Sequence, residues 1–356
     1  MTTASGKIQS TKKTPAAEGF AMPAEWAKQD AIWLSWPTNP ITWPDFRMAE
    51  VRDSYLKMIE ALLPGEQVKL LVDDVKTQDT VRELLQKRGV NDKNLLTFIK
   101  PTVDGWIRDY GPTFVTNKKG QKSFVKWIFN AWGGKYSDLA QDTKVFDQAK
   151  ELVPYDYFEP GIVLEGGSIE VNGLGTCLTT EQCLLNKNRN SHLSKQQIEQ
   201  LLKDYLNVSN IVWLKEGIVG DDTDGHIDDI ARFVNENTIL ATFEDDTSDE
   251  NYPLLKENWE LLEKARNEKG NPWNVVKLPM PRPIIDDGVR LPASYANFLI
   301  ANQVVLLPIF RQLGDDAAIG IMRDLFPKHR IVPIDCRSMV YGLGAVHCLS
   351  QQEPSI

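Results

Sequence analysis

Residues 220–243, GDDTDGHIDDIARFVNENTILATF, hold the repeating unit of this chain in miniature. A polar loop built on Gly225 opens an apolar run, IARFV, and residues 235–237 turn that run back into a second one, TILATF. Short apolar runs bounded by Gly, Asn and Asp read as paired strands. A helical pattern follows over 251–268. Working outward, a loop containing glycine opens a strand at Gly111 in RDYGPTF, Gly166 in EGGSIEV, Gly225 in DGHIDD, Gly288 in DDGVRLP and Gly344 in GLGAVHC, at spacings of 55, 59, 63 and 56 residues. A period of that size implies about five units of strands plus a helix, each too small to bury its own core, which close radially or stack. A ring of this kind brings five loops together at one end.

The rest of the chain fits an α/β or α+β layout. The runs AIWLSWP (31–37), VKLLVDD (68–74) and LLTFI (95–99) read as strands, and 46–63 and 75–88 as helices between them. Further helices are expected over 140–152, over 194–206, where Ser194 and Gln197 make a capping-box pair, and over 315–326. The Asn172-Gly173 dipeptide between SIEV and TCLTT signals a hairpin. No Pro- or Gly-rich linker divides residues 21–356, so a single catalytic domain is expected there. The start, MTTASGKIQSTKKTPAAEGF, is polar and unpatterned, and residues 1–20 are expected to form a mobile tail.

Composition narrows the function. With 42% apolar and 25% charged residues, and no apolar run near the ~18 residues that a membrane span needs, a globular protein without membrane association is expected. The net charge of −9 gives no basic field for nucleic acid and favours a small cationic partner. Four cysteines, Cys177, Cys183, Cys336 and Cys348, form neither a CxxC site nor a disulfide framework, and no signal-peptide core precedes them, so a reducing cytoplasm is the expected setting.

The five loops concentrate reactive side chains: Asp109, Glu165, His226 with Asp228, and Cys348. Cys348 follows the Gly342/Gly344 loop and precedes a polar run, which suits a reactive thiol better than a buried one. A strand beginning near Gly225 would place His226 and Asp228 on one face. Asp109 would stand opposite Arg108, with Trp106 as an apolar wall on its own side, and Glu165 lies at a Gly-Gly step that admits close approach of a ligand. His192 and His329 sit in polar settings, and His347 would point away from Cys348, so His226 is the better base. Asp221, Asp222, Asp224 and Asp228 offer oxygen donors to a metal, but the calcium-loop and zinc spacings are missing, and neither metal nor cofactor is expected. A thiol, an imidazole and three carboxylates suit substitution at a guanidinium carbon: carboxylates grip the planar cation and present its carbon to a strong nucleophile.

The motifs WIRDYGPTF, EGGSIEVNG, DDTDGHIDDIARF, LPASYANFLIAN and GLGAVHCLSQQEP, with MPAEW and AIWLSWP near the start, resemble the agmatine deiminase family over about residues 20 to 356. That resemblance implies a five-bladed pseudo-symmetric α/β propeller, the pentein fold, of ββαβ-type repeats. It makes Cys348 the nucleophile and His226 the general acid/base. Asp109 and Asp228 would bind the guanidinium nitrogens, Glu165 would contact substrate and assist proton handling, and Trp106 and Gly344 would help line the pocket. Agmatine would be hydrolysed to N-carbamoylputrescine and ammonia through a thiouronium intermediate, in a homodimer without cofactor. This chain carries Gly342-Leu343-Gly344-Ala345-Val346 where many members carry Gly-Gly-Gly-Asn-Ile, which bears on substrate choice. The competing readings are a deiminase of free or peptidyl arginine, a binding module on the same fold, and a metal-dependent hydrolase.

Overall fold

Five times along the chain an antiparallel strand pair is followed by a crossover that returns a third strand parallel to the second. The computed structural model describes residues 13–147 and 151–356. The simplest unit pairs Ala231–Asn235 with Thr238–Phe243, crosses through the helix Asn251–Lys264 and returns as Asn274–Pro279. Leu299–Ile300, Val304–Ile309, the helix Gly314–Leu325 and Arg330–Asp335 repeat it, as do Glu170–Val171, Thr176–Thr180, the helix Lys195–Leu206 and Asn210–Leu214. In a fourth unit, Thr113–Asn117 and Lys122–Val125 are followed by Tyr157–Phe158. The last unit is assembled from both ends of the chain. Ser350–Pro354 pairs antiparallel with Gln29–Ser35, which continues through the helix Asp45–Leu62 to Gln67–Val72.

Side-chain patterning explains these elements. The middle strands are buried on both faces, as in VVLLPI of Val304–Ile309, because a parallel crossover covers one side and the body of the protein the other. The helix Asp45–Leu62 buries Met48, Val51, Tyr55, Met58, Ile59 and Leu62, an apolar stripe at helical spacing. The capping box at Ser194 and Gln197 is present and starts Lys195–Leu206 where expected. Asn172 and Asn235 both organise their hairpin turns by accepting backbone N–H groups through Oδ1. No helix among the described residues is long and apolar enough to cross a membrane.

Four expectations need correction. The helix over 140–152 is only a short 3₁₀ turn, Leu139–Lys144, because the buried Asp142 carboxylate is taken by the backbone N–H groups of Val103 and Asp104; residues 148–150 lie outside the described part. The helix at 251 stops at Lys264 rather than 268, since Asn267 closes a turn on Lys269 and Asn271. Of the expected tail, residues 1–12 lie outside the described residues, but Ala16–Glu18 form a 3₁₀ turn and Phe20 is buried and pairs with Asn117. Finally, Gly288 belongs to a separate hairpin, Ile284–Asp286 with Val289–Leu291, and the turn that opens the strand of that unit is at residues 295–296. The period was read one loop too early there, because a glycine marks the hairpin while an asparagine marks the true position.

Candidate active site

Tight turns, not strands, present the reactive side chains. Ile107–Tyr110 precedes Thr113, Gly166–Ser168 precedes Glu170, Ile227–Asp229 precedes Ala231, and residues 346–349 precede Ser350. The strand expected at His226 is therefore a 3₁₀ turn, and Asp109 sits in a single helical turn instead of opposite Arg108 in a strand. The turns still bring the predicted residues together. Gly167 shows how closely: a Cβ there would lie 2.5 Å from His226 Nδ1, 3.0 Å from Asp109 Oδ1 and 3.1 Å from Asp228 Oδ2. Only a residue without a side chain fits between them.

His226 Nδ1 lies 3.7 Å from Asp109 Oδ1, and Cys348 Sγ lies 3.7 Å from Asp228 Oδ2. Asp109 accepts from Gly167 N at 2.9 Å and from Trp132 Nε1 at 2.9 Å. Glu165 faces Arg189 Nε at 2.7 Å. Trp106 and Gly344 lie beside Cys348: a Cβ on Gly344 would meet Trp106 Cζ3 at 2.5 Å and Cys348 Cβ at 3.1 Å. The neighbouring Leu343, where the chain departs from Gly-Gly-Gly-Asn-Ile, takes a positive φ of 69° and lines the cavity. That cavity, about 720 Å³, opens from Cys348 and Asp109 past Trp106, Trp132 and Tyr341 to Asp222.

Burial sets the charge states. It pushes the Cys348 thiol well above its usual range, assisted by Asp228, Asp229 and Asp109, and it lowers His226 to about 3. It also raises Asp109, with help from Asp228 and Glu165, and raises Glu165 despite Arg189. Asp228 goes the other way: burial would raise it, but the hydrogen bond and charge of His347 hold it below the ordinary carboxylate range.

His347 does not point away from the site, as strand alternation would have it, because residues 346–349 form a turn. Its Nδ1 lies 2.7 Å from Asp228 Oδ2 and its Nε2 2.8 Å from Glu25 Oε2, so it belongs to the site from behind. Glu25 is held in turn by Arg232 at 2.9 Å, and Arg232 by Glu170 at 3.0 Å. Glu25 and Asn297 lie in MPAEW and LPASYANFLIAN, two of the motifs singled out above, though no role was read for them. Arg189 and Trp132 gave no signal; Trp132 reaches Asp109 only because Ala131 and Trp132 adopt positive φ.

Three of the four acids considered for a metal are otherwise engaged, while Asp228 keeps Oδ1 open and lies with Asp229 and Cys348 within 4.8 Å. Asp221 accepts from the backbone of Thr223, Gly225 and His226, Asp222 from Tyr136, and Asp224 from Arg189 and Lys135. Glu165, Cys183 and His226 do place one donor atom each within 4.8 Å of one another, but the Arg189 guanidinium on Glu165 opposes a second cation there.

Against this geometry stand comparisons with known proteins. The profile of the Porphyromonas-type peptidyl-arginine deiminase matches residues 21–354. The chain belongs to that family. A putative agmatine deiminase of Legionella pneumophila is 38% identical over 96% of this chain and 97% of its own. An agmatine deiminase of Pseudomonas fluorescens is 37% identical over 96% and 97%. The solved agmatine deiminase of Enterococcus faecalis superposes with a TM-score of 0.89 at 33% identity, over 97% of this chain and 98% of that one. The fold extends beyond the deiminase family: DDAH from Pseudomonas aeruginosa matches over 91% of this chain and 99% of its own with a TM-score of 0.52 at 14% identity. The architecture is thus an α/β fold shared with these solved structures.

Proposed function

We propose that this chain is an agmatine deiminase that hydrolyses agmatine to N-carbamoylputrescine and ammonia. The observation that carries the reading is the set of buried groups around Cys348 that make no hydrogen bond within the protein: Asp228 Oδ1 and both ring nitrogens of His226. Buried polar groups normally have partners, and a planar N–H cation supplies donors to the carboxylate oxygen and to the unprotonated ring nitrogen. The names of the relatives support the same substrate.

The charge states favour a reaction that the substrate switches on. With the thiol held up and the imidazole held down, the free site has both neutral. A bound guanidinium, gripped by Asp109 and Asp228, favours transfer of the Cys348 proton to His226. The thiolate then attacks the guanidinium carbon, and His226 gives its proton to the departing nitrogen, which leaves as ammonia from an S-alkylthiouronium. Water adds to that carbon and yields a proton to His226. The carbon–sulfur bond breaks, the hydroxyl proton is released to make ammonium, and the thiolate takes back the proton held on His226, which leaves the ureido product beside the neutral pair.

Agmatine is favoured over arginine by the outer wall of the cavity. Asp73, Asp138 and Asp222 line it with a single base, Lys135, whose ammonium is already 2.7 Å from Asp224. Arg232 is buried on Glu25 and Glu170, and Arg290 is paired with Asp249, so neither offers a carboxylate of free arginine a partner. A second cation suits this wall.

The remaining features fit the same reading. The five sheets would be blades of a five-bladed propeller within one domain spanning 21–356, the paired terminal strands closing the ring. Free, buried cysteines accord with a cytoplasmic setting, and a homodimer is the expected assembly. The test is ammonia release from agmatine, arginine and a blocked arginine peptide. Release mainly from agmatine, lost in Cys348→Ala, is expected; faster turnover of peptidyl arginine would move the substrate and keep the mechanism.

A further inference from the structure

The Cys348 sulfur lies among acids. From the turn Ile227–Asp229 it faces Asp228 and Asp229, from Ile107–Tyr110 it faces Asp109, and its own neighbour His347 is committed to Asp228 and Glu25. Each of the three carboxyls opposes a negative sulfur. Yet the mechanism needs one.

The side chain of Asn297 is fully buried against the sulfur, and its orientation is fixed by what surrounds it. One amide atom lies 2.9 Å from the backbone N of His347 and 3.3 Å from that of Cys348. Both are donors, so that atom is the oxygen, and the other must be the NH₂ group. That nitrogen has two hydrogens and two acceptors, Asp229 Oδ1 at 3.0 Å and Cys348 Sγ at 3.0 Å. The same residue thus anchors the backbone of the Cys348 turn through its oxygen and points a donor at the sulfur.

We propose that Asn297 makes Cys348 ionisable, its Nδ2–H donating to the sulfur and stabilising thiolate over thiol. A hydrogen bond to a charged acceptor is about twice as strong as one to a neutral acceptor, so the contact favours the ionised form selectively. Asp229, bonded to the other hydrogen, holds the amide in plane for this purpose. The inference deepens the reading of Cys348 as nucleophile and rests on it for its purpose, but a thiol titration needs no substrate, so the two can fail separately.

The experiment is the pH dependence of iodoacetamide alkylation of Cys348, followed by mass spectrometry of its peptide, in the parent, Asn297→Ala and Asn297→Asp. Loss of the donor is expected to raise the alkylation midpoint by about one pH unit, slowing alkylation about tenfold at pH 8, with a larger rise for Asn297→Asp, which puts a carboxylate oxygen beside the sulfur. A role confined to holding the loop would change the limiting rate at high pH and leave the midpoint in place, which overturns the proposal. Should either variant fold poorly, the parent labelled with ¹⁵N-asparagine decides. One side-chain amide must then titrate with the Cys348 midpoint and be still in Cys348→Ser; no such signal also overturns it.

Discussion

Two histidines are buried to the same degree within one site, and they are opposites. His226 is surrounded by potential partners but makes no hydrogen bond through either ring nitrogen, and burial lowers it to about 3. His347 bonds through both nitrogens to carboxylates. The first keeps both ring nitrogens open to a ligand, as the proposed acid/base role requires; the second is clamped between Asp228 and Glu25 and holds Asp228 in place. Sequence adjacency is no guide to the two, since it is His347 that neighbours Cys348. What separates an acid/base from a strut is how many of its ring nitrogens the protein has already used.

The largest effect should come from the free histidine. His226→Asn is expected to lower kcat for agmatine by about 10³-fold or more, while thermal stability stays near that of the parent because no internal hydrogen bond is lost. Steady-state kinetics with a melting curve checks both. Retention of a tenth of the activity would remove His226 from the chemistry and erase the contrast.

His347→Gln should show the reverse pattern. It leaves two buried carboxylates without their shared partner, a change that typically costs about 3–5 kcal/mol of stability. A denaturant titration reads that loss, and kinetics on the surviving fold should show KM for agmatine rising more than kcat falls, as Asp228 loses its orientation. A variant as stable as the parent would mean that the imidazole does not hold the carboxylates.

Gly167→Ala sharpens the comparison by pressing on one histidine alone. The added methyl would sit 2.5 Å from His226 Nδ1 and within 3.1 Å of Asp109 and Asp228, whereas His347 is reached only through Asp228. Displacement of this order in a preorganised site is expected to cost about a hundredfold in kcat/KM, with less effect on stability than His347→Gln. Unchanged kinetics would show that the three groups need not converge as they do here.

Much of this was legible in the sequence, and the failures share a cause. Strand pairs, crossover helices and the capping box at Ser194 follow from apolar periodicity and turn chemistry, which are local. Asp109, Glu165, His226, Asp228 and Cys348 could be singled out because each ends a recognisable loop beside glycine or aromatic residues, and the structure brings these loops together. The conformation of those loops was not, since a 3₁₀ turn at Ile227–Asp229 has no periodicity to distinguish it from the start of a strand. Glu25, Asn297 and Arg189 were missed because their roles depend on partners 322, 51 and 35 positions away, at His347, Cys348 and Asp224. The fourth loop escapes a glycine-based period because at Asn297 the repeat has no glycine.

The smallest effect is a difference in acid stability, and its sign follows from the same two residues. A histidine whose folded value is depressed from 6.5 to about 3 contributes stability that is fully present above pH 6.5 and is lost as pH falls towards 3, since the unfolded chain takes up a proton that the folded one refuses. Asp228 and Glu25, held below the carboxylate range, contribute stability that is lost only at lower pH, as it falls through their own ordinary values and below. Between pH 7 and 5 the histidine therefore acts before the carboxylates. The denaturation free energy of the parent should fall by about 2 kcal/mol more than that of His226→Asn over this interval, from linkage of one proton. Burial of His329, which is also lowered, is common to both proteins and cancels. Equal slopes would mean that His226 is protonated in the folded protein near pH 6, so that the site would rest with a charged imidazole at that position and the contrast between the two histidines would be one of hydrogen bonding alone.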